Sequence, residues 1–440
     1  MKIRSLFLSV SALVLFGSSE AQVVRDLNEC IKTGLEKNFS LLVVKNNEQV
    51  AKNNFTVGNA GFLPSLDLTA KQNGSLNDSK SNMTDGSTSS SKGVFNTTSA
   101  GSLTLGWTIF DGFNVQTTYK KLNELKQMGA LNTQMEIESL VADISSAYYN
   151  CIQQEQLLKN KKYALTLSRE RLRIDEDRYL LGSGSKLQVL QSRVYFNADS
   201  SSLSRQNEIV RAAKIRLNEM MAIDNLGELF ISKDTSIVLN AELLFEKLME
   251  ETLSKNTSIQ IASKSKTISE YDYKLIKSRT YPYINFSSAY NYNFNTYSAS
   301  TTKNSQVNGM SYGVTAGVNI FDGFNQRRSI KNSAIDVQNK ELKFNEIEQG
   351  IKADLFTIYG AYSNYLRLIN LETQNFQTAT ENLYIAMERY KLGSLSGIDL
   401  REVQKSLLDA RESLLSVEYQ AKLAEISLML ISGHIMEYYK

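Results

Sequence analysis

Apolar and polar positions in this chain follow two periods, which alternate in the same order twice. From 26 to about 60, and again from 241 to 279, the spacing predicts a helix that stops before a proline, Pro64 or Pro282. The residue preceding a proline is pushed out of the helical region, which makes each one a stop signal. A period of two follows. Ile284, Phe286, Tyr290, Tyr292 and Phe294 point one way, and Asn285, Ser287, Asn291, Asn293 and Asn295 the other. The first copy is weaker, with Leu66, Leu68 and Ala70 against Asp67, Thr69 and Lys71. Such a segment fits a barrel strand with lipid on one face and a wet lumen on the other. A returning strand carries Leu103, Leu105, Trp107 and Ile109, and its second copy Tyr312, Val314, Ala316, Val318 and Ile320. The predicted strands are about 63–76, 98–110, 283–296 and 309–321. Between them, 72–98 and about 296–308 lack a core-forming pattern and are expected to be external loops.

Long helices come next. From Phe113 to Leu181 and from Phe324 to Leu392 no proline interrupts the pattern, and each stretch could reach roughly 100 Å. Ile351, Leu355, Ile358, Tyr362, Tyr365 and Ile369 alternate steps of four and three, as do Val403, Leu407, Ala410, Leu414, Val417, Ala421, Ala424 and Leu428. That is a coiled-coil seam. The first-half seam is looser, with Asp199 and Gln206 interrupting it. The predicted hairpins span 112–222 and 323–432.

The order of signals reflects a duplication. Trp107-Thr108-Ile109-Phe110-Asp111-Gly112-Phe113 returns as Val318-Asn319-Ile320-Phe321-Asp322-Gly323-Phe324. Arg178-Tyr179, Gly182 and Ser185 return at the same offset as Arg389-Tyr390, Gly393 and Ser396. A repeat this long means duplication of a whole structural half. The halves are 22–222 and 241–440, with 223–250 as an equatorial linker. At each strand end Asp111 and Asp322 are placed to cap the next helix, and Gly112 and Gly323 to take the turn.

Composition narrows the class. A basic start, the apolar run Leu6 to Phe16 and Ser19-Glu20-Ala21 predict a signal peptide over 1–21. That run is too short to span ~30 Å of hydrocarbon. No later stretch suits a transmembrane helix, so any crossing must be made by strands. The formal net charge of +3 gives no sign of a nucleic-acid partner. Two cysteines, Cys30 and Cys151, and the single histidine, His434, offer neither a disulfide framework nor a metal cluster. With no nucleophile–base pair and no phosphate loop, an enzyme is excluded and no metal or cofactor is expected. Two prolines in 440 residues, against a usual ~5%, agree with long uninterrupted helices.

Four strands cannot close a barrel. Two chains would give eight, whose interior is filled by side chains. Three give twelve strands with room for a lumen, together with twelve helical columns around one axis. The expected fold is therefore a membrane β-barrel joined to a long α-helical barrel, internally duplicated, with a coiled-coil tunnel; three chains fit best, while periodicity itself excludes only the monomer.

These features together resemble the TolC-like outer-membrane efflux proteins, over essentially the whole mature chain. The most specific marks are the duplicated Ile-Phe-Asp-Gly-Phe and the duplicated Arg-Tyr-x-x-Gly-x-x-Ser. The resemblance implies a homotrimer in outer-membrane lipid with a large periplasmic portion. It also implies an exit duct for tripartite efflux or type I secretion, joined to a periplasmic adaptor and an inner-membrane pump. The hairpin tips would form the periplasmic entrance. There Asp399 and Glu402 match acidic residues that line the closed tip, with Gln188 and Gln191 as neutral first-half equivalents. Crowded carboxylates repel, raise one another's pKa and attract cations. Tyr390, paired with Tyr179 in the first copy, matches a tyrosine that bonds to the neighbouring hairpin, here at Gln188. Leu395 stands where some members carry an arginine latch. Arg178, Gly182, Ser185, Arg389, Gly393 and Ser396 would form the adaptor-contacting tips.

Plainer readings exist. Acids near a helix start also complement its dipole, and Arg-Tyr-x-x-Gly also serves as hairpin punctuation. A non-conducting coiled-coil surface or adhesive protein is the alternative function, but it has no need of four alternating strands with Asn-lined inner faces.

Overall fold

In the computed structural model, which describes residues 23–240 and 243–439, the two copies share one order of elements, with an extra short helix in the first and a 3-10 turn ending the second. The expected signal peptide, 1–21, lies outside the described residues. Strand β1 (Val23–Arg25) leads into helices α1 (Leu27–Lys37), α2 (Phe39–Asn54) and α3 (Val57–Ala60). Strands β2 (Ser65–Asn82) and β3 (Thr88–Phe110) precede the long helices α4 (Asn114–Leu180) and α5 (Lys186–Met220). After β4 (Phe230–Ser232) the second copy runs through α6 (Phe245–Lys255), α7 (Thr257–Ser278), β5 (Tyr283–Tyr297) and β6 (Asn304–Gly317). It ends with α8 (Asn325–Lys391), α9 (Gly397–Ile431) and a short 3-10 turn, Ile435–Tyr439. Helices α4 and α8 each have 67 residues, α5 and α9 each 35. The duplication therefore kept both hairpins at one length, about 100 Å for the longer arm.

The helices expected over 26–60 and 241–279 are each broken by an asparagine, and the first is broken again at Phe55–Thr56. Asn38 and Asn256 leave the helical region and cap α2 and α7, accepting from the Leu41 and Ile259 amides at 3.1 Å. Their side-chain Nδ2 groups donate to the carbonyls of Met220 and Ile431 at 2.9 Å, which are the last residues of α5 and α9. Asparagine competes for backbone groups, so it is favoured at a cap and poor inside a helix.

The four long strands form one antiparallel sheet in the order β2-β3-β5-β6, and β1 pairs in parallel with β4. Two expectations are corrected. The loop expected over 72–98 is mostly strand. β2 runs to Asn82, β3 starts at Thr88, and the ladder continues through Ser79↔Ser91 to Asn82↔Thr88. A tight turn closes it, where Asp85 accepts from the Ser87 amide at 2.9 Å. A hairpin in water is held by its backbone ladder, which small polar residues such as Ser, Thr and Asn do not disturb. Beyond Asn96↔Tyr297, β3 has no partner in β5, so this hairpin projects past the second.

The fourth strand, expected over 309–321, is Asn304–Gly317 instead. Its counterpart β3 continues to Phe110 because β5 lies alongside there, with Trp107↔Phe286 and Phe110↔Ile284 paired. Among the described residues no strand pairs with Val318–Phe321, and β6 is the sheet edge.

Three cores hold the rest. Cys30, Ile31, Ile144, Tyr148, Cys151, Leu217 and Phe230 join α1, α4, α5 and β4. Leu248, Leu355, Tyr362 and Leu428 tie α6 to the second hairpin. Leu383, Tyr390, Leu400 and Leu407 pack near the tips. Seam residues Leu355 and Tyr362 are buried, and so is Cys151, the first-copy counterpart of Tyr362.

Candidate functional site

The register of the sheet separates two chemistries. Leu68↔Leu103, Leu103↔Tyr290 and Tyr290↔Met310 put one apolar row across all four strands, as do Trp107↔Phe286 and Phe286↔Val314 across three. Most of these side chains are exposed, Met310 at 71% and Leu68 at 79%. From Ile284 to Phe294 the apolar face would stand about 25 Å tall for a strand tilted by about 40°. The opposite face is a polar ladder. Ser102 Oγ donates to Asn291 Oδ1 at 2.7 Å, Thr98 Oγ1 to Asn295 Oδ1 at 2.8 Å, and Asn291 Nδ2 to Ser311 Oγ at 3.3 Å.

The strand-to-helix turns are built alike. Gly112 and Phe113 take φ of 70° and 69°, Gly323 and Phe324 71° and 66°. Consecutive left-handed residues reverse the chain sharply, a conformation a bulky residue rarely adopts. Asp111 offsets this by accepting from the Asn114 amide at 2.9 Å, and Asp322 from the Gln326 amide at 2.7 Å. Phe110 and Phe321 meet Phe113 and Phe324 edge to face, both at 5.3 Å.

At the far end, Gly182 and Gly393 (φ 77° and 78°) turn each hairpin. Ser185 and Ser396 cap the returning helices, and Gln188 completes a capping box by accepting from the Ser185 amide at 2.9 Å. Behind the tips lies a buried polar network. Asp175 accepts from Tyr390 Oη and Ser192 Oγ, and Arg171 donates to Ser192 Oγ at 3.1 Å and to the Gly397 carbonyl at 3.3 Å. One helical layer away, Arg401 grips Asp199 with two hydrogen bonds of 2.8 and 2.9 Å. The Tyr195 ring lies between the guanidinium groups of Arg171, 4.5 Å away, and Arg401, 5.1 Å away. Burial, then the bond to Asp175, pushes the Tyr390 phenol well above its ordinary pKa. Burial lowers that of Arg171, against the pull of Tyr390 and Asp175.

A family model for outer membrane efflux proteins matches residues 30–222 and 248–434, one segment per copy. The chain belongs to the outer membrane efflux protein family. Solved structures agree in fold. The outer membrane protein VceC of Vibrio cholerae superposes with a TM-score of 0.76 at 15% identity, over 92% of this chain and 96% of that one. The CmeC outer membrane channel of Campylobacter jejuni gives 0.77 at 14% identity, over 99% and 94%. The MtrE outer membrane channel of Neisseria gonorrhoeae gives 0.68 at 15%, over 93% and 89%. No curated protein matches the chain in sequence. Its family makes it an outer-membrane transport channel and not an enzyme.

In this efflux protein, Asp399 and Glu402 stand exposed on the first turns of α9. Asp399 is engaged in the cap, accepting from Ser396 Oγ at 2.7 Å. Gln188 and Gln191 are exposed on α5. The bond expected from Tyr390 to Gln188 is not made. Tyr390 is buried and turns to Asp175, while the Gln188 amide oxygen is committed to its own helix cap. Tyr179 is half exposed, with the Lys186 ammonium 5.4 Å from its ring. Arg178 does not project from its tip. It donates to the Tyr390 and Lys391 carbonyls and stacks 4.8 Å from the Tyr390 ring, joining one hairpin end to the other. Arg389 turns to the Ser394 carbonyl at 3.4 Å. The network in which Ser192 links Arg171 to Asp175, and the neighbouring pair of Arg401 with Asp199, are not among the sequence-predicted site residues. One signal was present, for Asp199 and Gln206 interrupt the first seam, and Gln206 bonds Gln154 at 2.9 Å. Among the described residues, no group of His, Cys, Asp and Glu could hold a metal ion.

Proposed function

We propose that three copies of this chain close into one continuous duct, twelve strands in the outer membrane and a helical tunnel in the periplasm. It carries solutes passively, delivered by an inner-membrane pump through a periplasmic adaptor. One observation supports this reading above others: the two open sides of the chain complement each other. β2 and β6 are free sheet edges. Below them α2 exposes Val50 and α3 exposes Val57, and α8 exposes Ile335 and Leu342. The two pairs are equally spaced in sequence and run in opposite directions. They are also level, because Ala51 packs on Gly129 of α4, whose repeat counterpart is Lys340. A surface that complements itself head to tail makes a ring when the rotation closes. A neighbour's β2 would also give Val318–Phe321 the strand partner that β5 gives Trp107–Phe110. Four strands per copy make three the smallest number that leaves a wet lumen, and the Asn-Ser-Thr ladder suits its wall.

At the other end, three copies would bring the exposed Asp399 and Glu402 side chains around one axis as a cation-attracting gate, with the tips around Gly182 and Gly393 meeting the adaptor. The test is conductance in planar bilayers. Discrete channels are expected, blocked by divalent cations, and Asp399→Ala with Glu402→Ala should weaken the block. Absence of conductance in inserted protein would refute the duct, and unchanged block would remove the acidic ring from it.

A further inference from the structure

Where β6 gives way to α8, three cations gather on the surface. Arg279, just past α7, and Arg327 and Lys331 on the first turns of α8 are exposed. Together with Ile320 and Phe321 they line a cleft of about 690 Å³. Its one carboxylate, Asp322, is engaged with the Gln326 amide at 2.7 Å. Arg328 stands beside them in the adjoining hollow. None of these four cations makes an ion pair among the described residues.

The position of the cleft supplies the second argument. Val314 and Tyr312 belong to the apolar face of the sheet, and the exposed apolar residues Val318, Ile320 and Phe321 follow directly on the end of β6 at Gly317. Ile320 is 91% exposed and Phe321 70%. The cations therefore begin where the apolar face ends, on its helical side. The duplication supplies a third. Arg279 and Arg327 correspond to Gly61 and Gln116 in the first copy and Lys331 to Lys120, so the two arginines belong to the second copy alone. A neighbouring copy would not neutralise them either, since 52–64, the stretch that would come alongside, contains no Asp or Glu.

We propose that this cleft binds the phosphate of an anionic phospholipid in the leaflet at the helical end of the barrel. Arg327 and Arg279 would hold phosphate oxygens, Lys331 would add charge, and an acyl chain would run up past Ile320 and Phe321. Guanidinium forks match phosphate oxygens, and cations beside a membrane surface attract anionic lipid. The proposal rests on the reading of the sheet as a lipid-embedded barrel. A free anion would have no use for the apolar wall.

The chain carries its own reporter, for Trp107 is its single tryptophan, on the apolar face and separated from β6 only by β5. The full-length protein is placed in phosphatidylethanolamine vesicles containing brominated phosphatidylglycerol or, at the same fraction, brominated phosphatidylcholine. Stronger quenching by the glycerol lipid is expected. Arg279→Gln with Arg327→Gln and Lys331→Gln should bring the two lipids level, with enrichment falling roughly five-fold per cation removed. Arg327→Lys with Lys331→Arg should keep most of the preference. Equal quenching in the unmodified protein, or a preference that survives the triple variant, overturns the site. Loss of the preference on adding inorganic phosphate at constant ionic strength would make it a free-anion site and overturn the lipid assignment. Tryptophan unquenched by either lipid would instead refute the barrel itself, and this site with it.

Discussion

Tyr390 donates its phenolic hydrogen bond to Asp175, joining the end of α8 to the last turns of α4 across the contact between the two hairpins. Asp175 keeps Ser192 as a second donor, so Tyr390→Phe should cost only about 1 kcal/mol. Arg401→Ala removes the one cation that pairs with Asp199 among the described residues, where the Asp199 side chain is 10% exposed. Breaking a buried pair from one side should cost about 3–5 kcal/mol. Denaturant unfolding of the detergent-solubilised protein compares the two variants, and a smaller loss for Arg401→Ala than for Tyr390→Phe would contradict the ranking.

The duplicated turns should not tolerate substitution equally. A Cβ on Gly112 would stand 2.4 Å from the Ser278 carbonyl oxygen and 2.8 Å from the Tyr281 Cβ, whereas among the described residues one on Gly323 would meet just the side-chain Nδ2 of Asn325, at 3.6 Å. Both share the left-handed strain, about 1–2 kcal/mol for a residue with a Cβ. Gly112→Ala adds a backbone clash to it. Its melting temperature should fall clearly further than that of Gly323→Ala.

Asp26 caps α1, accepting from the Glu29 amide at 2.8 Å, and that bond, helped by Lys233, lowers its pKa from 3.8. A carboxyl whose folded pKa is depressed contributes stability that is fully present above the unfolded pKa and is lost as pH falls through the folded one. Asp26→Ala should therefore cost about 1 kcal/mol at neutral pH. That difference should shrink once the pH drops below about 3.8, as urea unfolding at the two pH values would show.

Much of the architecture was legible because period and punctuation agreed. Alternation in Ile284–Phe294 marked a strand, the three-four seam of Val403–Leu428 marked a coiled coil, and Phe-Asp-Gly-Phe marked the turn between them. The polar hairpin over 72–98 escaped notice for a physical reason. A ladder exposed on both faces needs no apolar alternation, so Ser79, Ser89 and Thr88 look like loop residues. The end of β6 depends on what lies beside it, which a single chain's pattern does not carry. The tip network was hidden because its partners come from four helices far apart in sequence. Only the intrusion of Asp199 into an apolar seam hinted at a buried cation such as Arg401.

The proposed ring requires α2 of one copy to pack against α8 of the next. Val50→Cys with Leu342→Cys places one thiol on each open side, at one level. Native Cys30 and Cys151 are fully buried, and burial pushes both thiols up to about 12, so they should stay silent. Mild oxidation in membranes should link three copies into one covalent ring in the double variant and none in either single variant. A double variant that stays monomeric under oxidation, while still folded and inserted, would contradict the account.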